Sequence, residues 1–236
     1  MIDELNVDVS SRVDAPVRVL AIYDHLDTPG DWLTSSIVAS MSATRATAVL
    51  ALERAPRDIL ERAHKVHKRN RRCAANAHES KTLVFIDRTI GEHIRGLASE
   101  VAEATARALE SGKASGVRGA CVVVDGVDSA FLASGMTTNE VETFLDSCLA
   151  IGGEVDLVVC AHADACEVTA WVEENADCEI RLEPLKTGSA EDAHGTWVTT
   201  HMTNAFRAVG APRRSRGRYV LSELGVSVSA SSASAR

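Results

Sequence analysis

The chain has 236 residues, 45 % apolar and only 4 % aromatic, with a net charge of −8, which fits one sizeable α/β domain with an aliphatic, alanine-rich core. Its acidic start, "MIDELNVDVSSRVD", lacks the basic and apolar regions of a secretion signal. No apolar run approaches the ~18 residues of a membrane span, so a soluble, intracellular chain without membrane contact is expected.

Five apolar runs read as buried strands in chain order: "VRVLAIY" (17–23), "TAVLAL" (47–52), "TLVFID" (82–87), "GACVVVD" (119–125) and "DLVVCAH" (156–162). Their near-continuous branched apolar content suits parallel strands covered on both faces. Helical signatures lie between them. "DWLTSSIVASMSA" offers Asp31 as N-cap, and "APRDILERAHKVHKRN" sets Pro56 in its first turn with Ile59, Ala63 and Val66 on one side. "IGEHIRGLASEVAEATARALESG" ends on Gly112 as C-cap candidate; "TTNEVETFLDSCLAIGG" and "ADACEVTAWVEENA" complete the set. Strand–helix alternation with short links predicts a doubly wound parallel sheet.

After residue 177 the rhythm changes. "CEIRLEPL", "TWVTTHM", "GRYVLSEL" and "VSVSA" follow one another without helices, which predicts antiparallel hairpins extending the sheet. Loops are expected at 70–81, 111–118 and 207–217. Residues 1–14 read as a flexible N-terminus, 15–230 as a single domain, and 231–236 as a disordered tail.

Six cysteines (Cys73, Cys121, Cys148, Cys160, Cys166, Cys178) show no CxxC pair, and several fall in apolar runs as buried thiols do. "CAHADAC" gathers Cys160, His162, Asp164 and Cys166 but lacks a second ligand pair at zinc spacing, so no metal is expected.

The order of parts matches a P-loop ATPase of the RecA type. The first strand should feed a phosphate loop, and "CVVVD" has the form of the strand ending in a magnesium-binding aspartate, here Asp125. Glu53 stands where such ATPases often carry the glutamate that activates water. The loop itself is missing. A working one reads GxxxxGK[ST], whereas this turn is "DHLDTPGDW". Pro29 has no N–H to donate, no lysine follows, and Asp24, Asp27 and Asp31 bring negative charge where phosphates would sit. "SGKASG" follows a helix and inserts Ala114 between Lys113 and Ser115. Asp125 also reads as a turn-capping carboxylate in "DGVD". The expectation is no nucleotide cofactor and no catalysis.

One stretch narrows the field. "RLEPLKTGSAEDAHGTWVTT" (181–200) holds Leu182–Glu183, a Thr187–Gly188 turn, then Asp192, His194 and Gly195 before a return strand. It resembles the C-terminal signature of the sixth subunit of the Elongator complex. "VRVLAIYDHLDTPGDWLTSSIVASM" resembles that family's degenerate phosphate-loop region, "GACVVVDGVDSAFLASG" its aspartate-ended strand, and "GRYVLSELGVSVSA" its terminal hairpin. Nearly all of 17–230 is covered in order, and 181–200 is the specific part. The resemblance implies a RecA-like fold and a place beside the fourth and fifth subunits in a hetero-hexameric ring. That ring attaches to the larger Elongator subunits, binds tRNA and supports wobble-uridine modification, in the cytoplasm with the nucleus as a second compartment. A diverged RecA/KaiC-like ATPase using Asp125 and Glu53, or the fifth Elongator subunit, is the alternative.

Within the signature, Gly188 and Gly195 read as residues whose backbone angles let the hairpin reverse, with Asp192 and His194 bonding turn amides. An Asp–His catalytic pair has no recognisable Ser or Cys nucleophile beside it.

Contact surfaces follow from charge. Trp32 reads either as a ring-interface anchor beside Asp24 and Asp27 or as a side chain packed on the sheet under its own helix. Lys65, Lys68, Arg69 and Arg72 recur at helical spacing as one positive stripe, and Arg213, Arg214, Arg216 and Arg218 sit in a Pro/Gly loop. Both clusters are candidate tRNA contacts that bind phosphate without reading sequence. Residues 137–195 hold fourteen Asp/Glu against Arg181 and Lys186, which suits a protein partner instead.

Overall fold

The computed structural model describes residues 17–25, 27–66, 76–79, 81–88, 96–113, 116–117, 119–128, 135–151, 155–163, 169–185, 193–202, 213–222 and 225–230. The flexible-end readings at 1–14 and 231–236 lie outside them.

Five parallel strands come first along the chain: β1 (Val19–Asp24), β2 (Ala46–Ala51), β3 (Leu83–Asp87), β4 (Ala120–Asp125) and β5 (Val155–His162). Between them run α1 (Asp31–Ser42), α2 (Pro56–Val66), α3 (Leu97–Gly112) and α4 (Thr138–Leu149), and α5 (Thr169–Asn175) follows β5. Then β6 (Cys178–Glu183), β7 (Gly195–His201), β8 (Arg213–Ser222) and β9 (Gly225–Ala230) close the chain order. One nine-stranded sheet results, ordered β3-β2-β4-β5-β1-β6-β7-β8-β9. β1 to β6 pair in parallel and β6 to β9 antiparallel, so the change of rhythm after residue 177 marks the change of pairing.

Two apolar layers cover the sheet. Trp32, Leu33 and Ile37 of α1 and Ile59 and Ala63 of α2 pack on one face, against Leu20, Ile22 and Val49. Val101 and Ala104 of α3, Val141 and Leu145 of α4, and Trp171 and Val172 of α5 pack on the other, against Val19, Ala21 and Val122. The parallel strands are apolar throughout because both of their faces are covered. Cys121, Cys148, Cys160 and Cys178 are buried and unbridged, and burial pushes the Cys148 and Cys178 thiols up to about 12.

Four local expectations are corrected. Gly30, not Asp31, is the N-cap of α1, because Asp31 lies inside the helix and accepts a bond from the Trp32 amide at 3.0 Å. Gly112 stays helical and Lys113 is the C-cap, since the Lys113 amide still donates back to the Glu110 and Leu109 carbonyls. Residues 76–79 form a helical turn inside the segment expected as loop. The Pro/Gly segment 207–217 is a strand from Arg213 onward, because β7 offers it a full register from His201↔Arg213 to Gly195↔Tyr219.

The β7–β8 pair explains its glycines. Gly195 faces Tyr219 and Gly217 faces Trp197 across the ladder, so each ring lies over a residue with no side chain. A Cβ on Gly195 would stand 2.5 Å from the Tyr219 hydroxyl. Gly195 has no positive φ, so it is needed for space rather than for the backbone freedom expected of it. The aromatic face of this hairpin meets α1, where the Trp32 and Tyr219 rings pack at a 40° tilt with centroids 5.1 Å apart.

Candidate functional site

β1, β4 and β5 end side by side. The chain leaves β1 into α1 on one face, and leaves β4 and β5 into α4 and α5 on the other. A crevice outside the carboxyl ends of such strands is where open α/β sheets bind ligands. Here it is lined by Asp24 at the end of β1, Asp125 at the end of β4, His162 at the end of β5, and Glu53 and Arg54 just past β2. Pro29, Asp31 and Thr34 form the α1 side.

Internal bonds fill it. The Arg54 guanidinium grips both Asp125 oxygens, with Nε donating to Oδ2 at 3.1 Å and Nη2 bonding Oδ1. Asp125 is fully buried. Burial pushes its carboxyl up, and Arg54 pulls it back. Burial works against the Arg54 charge as well, but Asp125 outweighs it and raises the guanidinium above its ordinary value. His162 bridges two carboxylates, with Nδ1 2.5 Å from Asp24 Oδ1 and Nε2 3.0 Å from Glu53 Oε1. Its backbone amide donates to Asp128 at 3.0 Å. The other Asp24 oxygen accepts from the Gly30 amide at 2.5 Å, and Asp31 pairs with Arg62 of α2 at 2.7 Å.

Three groups of the crevice are thus partnered within the chain: the Gly30 amide by Asp24, the Asp125 carboxylate by Arg54, and the Glu53 carboxylate by His162. The remaining crevice is about 110 Å³, below the ~300–1,000 Å³ of ordinary ligand pockets.

Both His162 nitrogens face carboxylates, a geometry satisfied only when both carry protons. Burial lowers the His162 pKa, but the Asp24 and Glu53 charges and the Asp24 bond outweigh it and hold it above the ordinary value. Desolvation raises Glu53 and Asp128 too. All these shifts mean that the folded state holds protons that the unfolded state releases. The His162 contribution is therefore full below its unfolded value near 6.5 and is lost as pH rises through the higher folded value. Thermal unfolding followed from pH 6 to pH 8 is expected to show a falling Tm. His162→Gln should flatten that slope, and an unchanged slope would remove the histidine from the effect.

The structure brings Asp24 and Asp31 into the crevice, while Asp27 is exposed outside its lining. Trp32, considered as a ring-interface anchor, is buried within the chain against Tyr219, so packing under its own helix describes it. Lys65 lies near the end of α2, and Lys68, Arg69 and Arg72 lie outside the described residues. Arg213, Arg214, Arg216 and Arg218 lie on β8, where Arg214, Arg216 and Arg218 are exposed at alternate positions. Of the signature, Thr187, Gly188 and Asp192 lie outside the described residues. His194 Nδ1 accepts from the Leu221 amide at 3.0 Å, tying β7 to its neighbour β8 rather than bonding its own turn. Arg54 is not among the residues the sequence points to, although its position directly after Glu53, just past β2, is a signal for it. His162 appeared only within a rejected metal motif; Asp164 and Cys166 of that motif lie outside the described residues.

A scan of protein families finds none that matches the chain, and no curated protein matches it. The fold and site define an α/β protein with a mostly parallel sheet flanked by helices and extended by antiparallel strands. Among the described residues no helix is long and apolar enough to cross a membrane.

Proposed function

We propose that the chain is a non-catalytic, RecA-like subunit of the Elongator accessory ring. It joins fourth and fifth subunits in a hetero-hexamer attached to the larger Elongator subunits. There it supports tRNA wobble-uridine modification through assembly and tRNA contact. The observation that supports the non-catalytic part is the buried Asp125–Arg54 pair, since on the RecA-like reading Asp125 is the magnesium carboxylate and Arg54 neutralises it. The RecA-like reading draws on the layout of β1, turn and α1 beside an aspartate-ended β4. The ring assignment rests on the resemblance of residues 181–200, whose ends lie on the paired strands β6 and β7.

The exposed Arg214, Arg216 and Arg218 supply a sequence-independent phosphate-binding row. Titration of the purified chain with ATP and magnesium is expected to show no binding at micromolar nucleotide. Saturable binding would overturn the non-catalytic reading. Affinity capture from cells tests the ring separately. Recovery of fourth- and fifth-subunit relatives is expected, and their absence would defeat the assignment.

A further inference from the structure

Among the described residues the sheet ends at β9, and no strand pairs with its outer side. An open row of backbone donors and acceptors invites another strand, so natural edges carry charges, proline, bulges or a cover. The β9 sequence GVSVSA has no charge and no proline. Its two faces also differ. Val226 and Val228 are partly buried against the α1–α2 layer, while Ser227 and Ser229 are exposed. Ser229 stands opposite Arg218 in the ladder, beside the arginine row of β8. A segment that fits this edge alternates apolar residues on one side with acidic ones on the other.

Such a segment precedes β1. In "ELNVD" (4–8), Leu5 and Val7 share one side of an extended chain, and Glu4, Asn6 and Asp8 share the other. The first sixteen residues carry Asp3, Glu4, Asp8 and Asp14 against Arg12 alone. We propose that residues 4–8 dock in the same chain as a tenth strand on the β9 edge. Leu5 and Val7 extend the Val226–Val228 side, and Glu4 and Asp8 face the arginines.

Direction and reach agree. β9 runs antiparallel to β1, so its far end lies on the side from which β1 starts. A segment parallel to β9 thus finishes near the start of β1. Five strand spacings from β1 to a tenth strand come to ~24 Å, and the nine Cα steps from Asp8 to Val17 span up to ~31 Å. Arg218, two strands from the docked segment at ~9.6 Å, lies within the combined reach of an arginine and a carboxylate side chain. The docking depends only on residues of this chain, whatever its partners.

Hydrogen exchange compared between the full chain and a chain lacking residues 1–13 tests it. Amides of 226–230 are expected to exchange about tenfold faster in the shortened chain, with β1, β4 and β5 unchanged. Val7→Pro in the full chain should reproduce the loss, because it removes a ladder donor and an apolar contact without shortening anything. Asp8→Arg should weaken protection and Arg218→Asp should restore it in that background. Equal exchange in the full and shortened chains would overturn the proposal. So would protection that appears only as protein concentration rises, which would give the edge to a second copy.

Discussion

Replacing Arg54 with methionine is expected to cost about 3–5 kcal/mol of folding stability, because it leaves the Asp125 carboxylate buried without its partner. In a chain of this size that corresponds to a fall in Tm of roughly 10 °C, read by calorimetry or circular dichroism. Cys160, Asp24 and Asp31 lie around the pair, and the His162 cation of the same crevice is already held between Asp24 and Glu53. The paired replacement Arg54→Met with Asp125→Leu should recover most of the loss, since two apolar groups need no compensation in that site. A single variant as stable as the natural chain would show that Asp125 is neutral when folded, and the account of the filled crevice would fail with it.

Gly217→Ala is the second large effect. A Cβ at that position would run into the carbonyl oxygen of Ser229 and lie 2.7 Å from two ring carbons of Trp197, which is fully buried. Neither neighbour yields easily. The oxygen belongs to the β8–β9 ladder, and the indole is packed in the core. A loss of about 3 kcal/mol is expected from this single methyl group. Denaturant titration checks it, with Arg214→Ala on the exposed face of the same strand as the control that should stay within ~0.5 kcal/mol. If both variants unfold at the same denaturant concentration, the close packing at Gly217 is not what holds the hairpin.

Much of the fold could be read from the chain because strands buried on both faces announce themselves as unbroken apolar runs. "GACVVVD" and "DLVVCAH" became β4 and β5 with boundaries shifted by one residue. The arginine-rich segment was harder. Arg213 to Gly217 carries turn residues and charge, and its strand character comes from pairing with β7 and from Trp197 needing an empty position opposite. Those are long-range facts that local propensity does not contain.

The crevice was legible in part. The aspartates and the proline of "DHLDTPGDW" were visible, and so was the missing lysine. What partners those acids and Asp125 was not, because Asp24 meets His162, Asp31 meets Arg62 and Asp125 meets Arg54 from segments far apart in sequence. Only the sheet order sets His162 and Arg54 beside Asp24 and Asp125.

Trp32 and Tyr219 join two distant parts of the chain. One ring belongs to the helix that opens the chain's first turn, the other to the hairpin near its far end, and they touch inside the core. A tug on the terminal hairpin by a neighbouring molecule would therefore reach the mouth of β1 through these rings as well as through the sheet, and the indole's emission would report it.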